Sequence, residues 1–75
     1  IRGSFYFNNE SLRVVLRELA RWYVVDVEYH GTVPDEIFAG YISREIPLQE
    51  VLANMEEMAP VRLTVKDRTI HVYAK

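Results

Sequence analysis

Cysteine is absent from this 75-residue chain, so no disulfide, thiolate nucleophile or thiolate metal ligand can be built from it. Glycine and proline are scarce, at three each, and neither gathers into a stretch. That excludes a low-complexity linker and a glycine-rich phosphate loop, because Gly3, Gly31 and Gly40 stand alone. The formal net charge is −2, without the basic excess that displaces counterions from phosphates, so no nucleic-acid partner is expected. No apolar run approaches the roughly 20 residues that cross a bilayer, and the N-terminus carries no signal-peptide pattern. The chain opens on Ile1-Arg2-Gly3-Ser4 directly before a strand, as a piece cut from a longer protein would, so any export or membrane segment is expected upstream.

What is there is ordinary globular material, 49 % hydrophobic, with one pattern stated twice. Ser11-Leu12-Arg13-Val14-Val15-Leu16 and Pro47-Leu48-Gln49-Glu50-Val51-Leu52 share a small residue or proline, then leucine, then an apolar pair. Each follows an aromatic alternating stretch (Phe5-Tyr6-Phe7; Phe38-Ala39-Gly40-Tyr41-Ile42) and precedes another alternating one (Val25 to Tyr29; Val61 to Val65). Two such strand-helix-strand blocks form a duplicated supersecondary unit. At this length there is room for one small core, which makes residues 1–75 a single domain. The expected class is α+β in the order β-α-β-β-α-β-β, with two helices packed between a two-stranded and a three-stranded sheet.

Periodicity assigns the faces. In the first helix Leu12, Val15, Leu16, Leu19, Ala20 and Tyr23 recur at the spacings of one helical face. Arg13, Arg17 and Arg21 form a basic stripe on the opposite side, with Arg21 in the last turn where the helix dipole favours a cation. The second helix is expected to start with Pro47 at its first helical position, to run through Leu48, Val51, Leu52, Met55 and Met58, and to stop before Pro60. The two methionines read as gap-filling core. In the strands, period-two alternation sends Val25, Val27, Tyr29, Val61, Leu63, Val65, Ile70 and Val72 inward. Asp26, Glu28, His30, Arg62, Thr64, Lys66, Thr69, His71 and Tyr73 go outward. Asp67-Arg68 has hairpin length, although it is a weaker primed-turn signal than Asp-Gly. The expected core is Phe5, Phe7, Leu12, Val15, Leu16, Leu19, Trp22, Val25, Val27, Phe38, Ile42, Leu48, Val51, Leu52, Met55, Leu63 and Val72. Gly40 reads as a strand glycine that admits a close backbone or helix approach.

Chemistry is harder to find. A zinc site needs three or four ligands at workable spacing and a nucleophile needs a positioned base. The candidates are His30, His71, Asp26 and Glu28, which could converge on one sheet face; a metal-dependent enzyme using His30, His71 and Asp26 is one alternative. Exposed strand faces ordinarily carry such residues, and this favours a solvated surface. Glu56 and Glu57 are adjacent on a helix and point about 100° apart, so they cannot work as a pair. No enzymatic activity, cofactor or metal is expected. Trp22 reads as a plug at the end of the core. Tyr6 and Tyr41 point outward on neighbouring strands of the small sheet and make a contact surface for a partner, with the Arg13, Arg17, Arg21 stripe as the second candidate.

Together, Phe7-Asn8-Asn9-Glu10-Ser11-Leu12, Leu19-Ala20-Arg21-Trp22-Tyr23-Val24-Val25-Asp26-Val27, Phe38-Ala39-Gly40-Tyr41-Ile42, Pro47-Leu48-Gln49-Glu50-Val51-Leu52 and Val65-Lys66-Asp67-Arg68-Thr69-Ile70-His71-Val72 resemble the C-terminal domain of FecR-type anti-sigma factors. The pattern is similar also to the short signalling domain at the start of secretins and TonB-dependent transducers, which is the alternative within this fold. The Arg-Trp-Tyr end of the first helix and the Phe-x-Gly-x-apolar strand favour the anti-sigma branch. Met58-Ala59-Pro60 departs from the threonine-glycine-like break of many relatives. The resemblance implies a periplasmic, non-catalytic domain of an inner-membrane protein. Such a domain receives the state of an outer-membrane TonB-dependent transducer through that transducer's signalling domain. The sigma factor would be held by an upstream cytoplasmic segment, beyond an upstream membrane helix.

Overall fold

A computed structural model of the chain describes residues 3–75, so Ile1 and Arg2, on which the expectation of an upstream segment rests, lie outside the described residues. The elements run β1 (Ser4–Ser11), α1 (Leu12–Tyr23), β2 (Asp26–His30), β3 (Ile37–Ser43), α2 (Leu48–Glu56), β4 (Val61–Lys66) and β5 (Thr69–Ala74). β1 and β3 pair antiparallel in one sheet, and the other has the order β2-β5-β4, with β2 parallel and β4 antiparallel to β5. The α+β class and the duplicated order are those read from the sequence. The repeat shows in the pairing too: the leading strands of the two blocks pair with each other, and the trailing strands flank β5.

Helix α1 begins where Ser11, in extended conformation, accepts the Val14 N–H on its Oγ at 3.3 Å. Its apolar stripe is fully buried at Leu12, Val15, Leu16 and Leu19, each such side chain contributing about 1.5–3 kcal/mol. The helix ends at Val24, which takes the left-handed conformation (φ 58°, ψ 57°), with the Val25 N–H donating to Ala20 O at 3.0 Å. Helix α2 starts one residue later than its sequence suggests. Pro47 has ψ 148° and is the extended N-cap, its carbonyl accepting from Glu50 N and Val51 N, so Leu48 opens the helix. The helix closes at Glu56, and Met58 is consequently turned out, 66 % exposed, rather than being core.

Within β1, Asn9 (φ 55°) forms a bulge that shifts the register between Phe7 and Glu10, and pairing then continues to Ser11–Ile37. The small sheet is therefore longer than the alternation of Phe5 to Phe7 indicates. Gly40 is required by its backbone (φ 127°) and not by a close approach, since a Cβ placed there would meet nothing within 4 Å. Asp67 (φ 53°) and Arg68 (φ 58°) both take the positive φ of a type I′ turn, which matches the strand twist at a two-residue connection.

The core unites Phe5, Phe7 and Phe38 of the small sheet, α1's stripe, Val51, Leu52 and Met55 of α2, and Val61, Leu63, Ile70 and Val72 of the larger sheet. Val33 and Ala59 join it from loops. Four expected members, Val25, Val27, Ile42 and Leu48, are only half-buried and pack at its margin. For Val27, and for Val25 just before the strand begins, the reason is that β2 lies at the edge of its sheet. Trp22 is 48 % exposed and not core. Instead its ring meets Phe5 edge-on at 6.1 Å, its Nε1–H donates to Arg44 O at 3.1 Å, and the Arg44 guanidinium lies 4.8 Å from its centroid. It clamps α1 to the end of β3 from outside.

Candidate functional site

The two tyrosines expected to face a partner are directly opposite each other in the β1–β3 register. Their ring centroids are 4.9 Å apart at a 36° tilt, and they are 61 % and 64 % exposed. Cross-strand neighbours this close reinforce each other's orientation, so the pair presents a rigid aromatic surface. Ile37 and Met58 are also exposed, and a groove between β3 and α2 runs from Tyr41 past Ile42, Ile46 and Met55 to Met58. Met58 belongs to this surface although its sequence position suggested core. The signal for it was Pro60, which ends helical geometry early enough to release the side chain. Each strand of this two-stranded sheet has one unpaired edge.

Arg13, Arg17 and Arg21 are exposed as expected and border a groove between α1 and β2 floored by Val25, Val27 and Tyr29. Arg13 is the most constrained. Its guanidinium lies 4.2 Å over the Tyr29 ring and its backbone N–H donates to Asp35 Oδ1 at 3.2 Å. Burial pushes the Tyr29 phenol above its ordinary value while the Arg13 charge and hydrogen bond oppose the shift. Arg21 pairs with Glu18 at 3.6 Å on the helix surface, an exposed contact of little energetic weight.

On the outer face of the larger sheet, the register sets Glu28 beside His71 and His30 beside Tyr73. His30 and His71 are thereby diagonal neighbours, with Nε2 of one 2.9 Å from Nδ1 of the other. Glu28 Oε1 is 3.7 Å from His71 Nδ1, and the Tyr73 ring stacks on His30 at 4.5 Å and 11°. Asp26 pairs with Thr69 two residues along and is not part of this group, so the trio His30, His71, Asp26 does not form. The residue that completes the cluster is Glu28. No nucleophile stands in hydrogen-bond reach of the histidine pair in the way a catalytic dyad requires, among the described residues.

Residues 4–72 match the family described as FecR, C-terminal. No curated protein sequence matches the chain. Two crystal structures of a "putative anti-sigma factor" from Parabacteroides distasonis ATCC 8503, at 1.65 Å and 2.50 Å resolution, share its fold with TM-scores of 0.84 and 0.83. Each is 23 % identical over 99 % of this chain and 35 % of its own, so the chain spans about a third of their length.

Proposed function

From the premise that this chain belongs to the FecR C-terminal family, we propose that it is the non-catalytic, signal-receiving domain of a membrane-anchored anti-sigma factor. In this reading it lies in the periplasm and binds the signalling domain of an outer-membrane TonB-dependent transducer. The sigma factor is engaged by a separate, upstream cytoplasmic part of the same protein. A domain in this position does no chemistry. It works by binding one state of its partner better than another, which is the only way a ligand-driven change can be passed on.

The observation that carries the reading is the Tyr6–Tyr41 pair, exposed and in tilted ring contact on a sheet with open edges. An incoming strand can add to such an edge through main-chain hydrogen bonds while aromatic side chains supply selectivity. The outer face of the larger sheet, lined with Asp26, Glu28, Arg62, Lys66 and His71, would be costlier to desolvate. The test is the affinity of this domain for the periplasmic signalling domain of the transducer encoded beside it. Tyr6→Ser and Tyr41→Ser should each weaken binding by about 1–2 kcal/mol, with Lys66→Ser unchanged. Unaltered affinity in folded tyrosine variants would move the contact to Arg13, Arg17 and Arg21, and absence of binding by the parent would refute the relay.

A further inference from the structure

Beyond partner binding, we propose that Glu28, His30 and His71 form a solvent-open site for a divalent transition-metal ion such as zinc, with two imidazole ligands and one carboxylate. One donor atom from each residue lies within 4.8 Å of the others. The two nearest, His30 Nε2 and His71 Nδ1, are 2.9 Å apart. Two nitrogens bound to one ion at about 2.0–2.1 Å with an angle between roughly 90° and 110° sit about 2.9–3.4 Å apart, so the pair already has the bite of adjacent ligands. Glu28 Oε1 approaches His71 from the paired position on β2 and needs only side-chain rotation to enter the same sphere. Imidazole with carboxylate suits zinc, nickel, copper and iron, and does not suit magnesium, which asks for oxygen ligands.

The backbone prepares this arrangement. All three residues lie on one face of paired, parallel strands, where the register is fixed by the alternate positions on the other face, the buried Ile70 and Val72 and the half-buried Val27 and Tyr29. Tyr73 stacks on the His30 ring and holds its plane, so little rotamer freedom is left to lose on binding. With three protein donors, the remaining coordination positions face solvent and would hold water or a group from a docked molecule. Without an ion, the same 2.9 Å contact is a hydrogen bond in which one imidazole donates an N–H to a ring nitrogen of the other. That hydrogen-bonded pair is the rival account of the same geometry, and the two differ in what they do when zinc is added.

Calorimetric titration of the chain with zinc chloride in a non-chelating buffer is the measurement, with magnesium chloride as the control ion. Proton-detected 15N spectra of the imidazoles would run alongside. The expected result is one equivalent of zinc bound and none of magnesium. Shifts should appear at His30 Nε2 and His71 Nδ1, and binding should be weakened at least about tenfold in His30→Ala and in His71→Gln, consistent with loss of a ligand. Glu28→Gln should weaken binding by less, and Asp26→Asn should leave it unchanged. Circular dichroism keeps unfolded variants from being counted. Equal zinc binding by the parent and the folded His30→Ala chain, or no stoichiometric binding by the parent, would overturn the site and leave the hydrogen-bonded pair. Because transducer binding is measured separately, failure here leaves the proposed relay standing.

Discussion

Replacing Val24 with glycine should stabilise this domain, although it removes a side chain from a small protein. Val24 sits in the left-handed region at φ 58°, ψ 57°, where a β-branched residue is a steric outlier. The conformation is held by three contacts that no substitution of its side chain touches. The Val24 and Val25 N–H groups both donate to Ala20 O, and Arg68 donates to Val24 O at 3.1 Å. Left-handed geometry costs an ordinary L-residue about 1–2 kcal/mol, and branching puts valine toward the upper figure. Glycine escapes this but loses roughly 0.5–1 kcal/mol in extra chain entropy. The side chain is 64 % exposed, so its burial is worth only roughly a few tenths of a kcal/mol. The balance is a gain of about 0.5–1 kcal/mol, or a rise in Tm of roughly 2–8 °C for a domain of this size. Asparagine, which tolerates the same conformation, should also gain. Alanine keeps the Cβ and should gain less. Urea melts followed by Trp22 fluorescence and thermal melts by circular dichroism measure both quantities. A glycine variant no more stable than the alanine variant would refute the claim that the backbone at residue 24 is held left-handed against its side chain.

Two further outcomes follow from the core and from the half-buried phenol of Tyr23. Leu16→Ala and Leu52→Ala, at positions at most 1 % exposed, should each cost about 2–5 kcal/mol, a large fraction of the stability of so small a domain, and a melt within a degree or two of the parent would mean the helix faces are wrongly assigned. Tyr23 donates its O–H to Ile46 O at 2.7 Å, and burial raises its pKa above the ordinary 10.0. The raised value means its contribution is complete below pH ~10 and is lost as pH climbs through the folded pKa. Tyr23→Phe should lose about 1 kcal/mol at neutral pH and show a shallower alkaline decline, read from melts between pH 8 and 11, with Tyr29, whose phenol is also raised, contributing to the decline that remains.

Much of the fold is legible because short-range periodicity carries it. The stripe from Leu12 to Leu19, the alternation of β2, β4 and β5, and the Asp67-Arg68 turn are each readable within a dozen residues. Burial was misread where a residue's environment depends on distant geometry. Trp22 is in phase with the α1 stripe, but the small sheet beneath it is too narrow to cover it, so it clamps Arg44 from outside. Val33 and Ala59 are buried from loops, where no period exists to mark them. The bulge at Asn9 extends β1 beyond its aromatic alternation. The candidate surfaces divide in the same way. Alternation placed Tyr6 and Tyr41 outward, and both are. The meeting of His30 with His71 and Glu28, to the exclusion of Asp26, depends on the β2–β5 register, which links residues far apart in the chain and leaves no local trace.

That register also governs when the molecule can exist. β5, the last strand in sequence, is the middle strand of its sheet, and β2 touches no other strand. During vectorial synthesis α1 and the β1–β3 ribbon could complete early, yet β2 would wait with both edges bare until β5 emerged. Closing so long a loop is entropically slow and leaves the strand open to wrong partners meanwhile. Removal of β5 would therefore not trim the domain but orphan two strands at once. The last six-residue strand, Thr69–Ala74, acts as the latch on the whole sheet, and proteolysis or a stop codon within it should abolish the fold rather than weaken it.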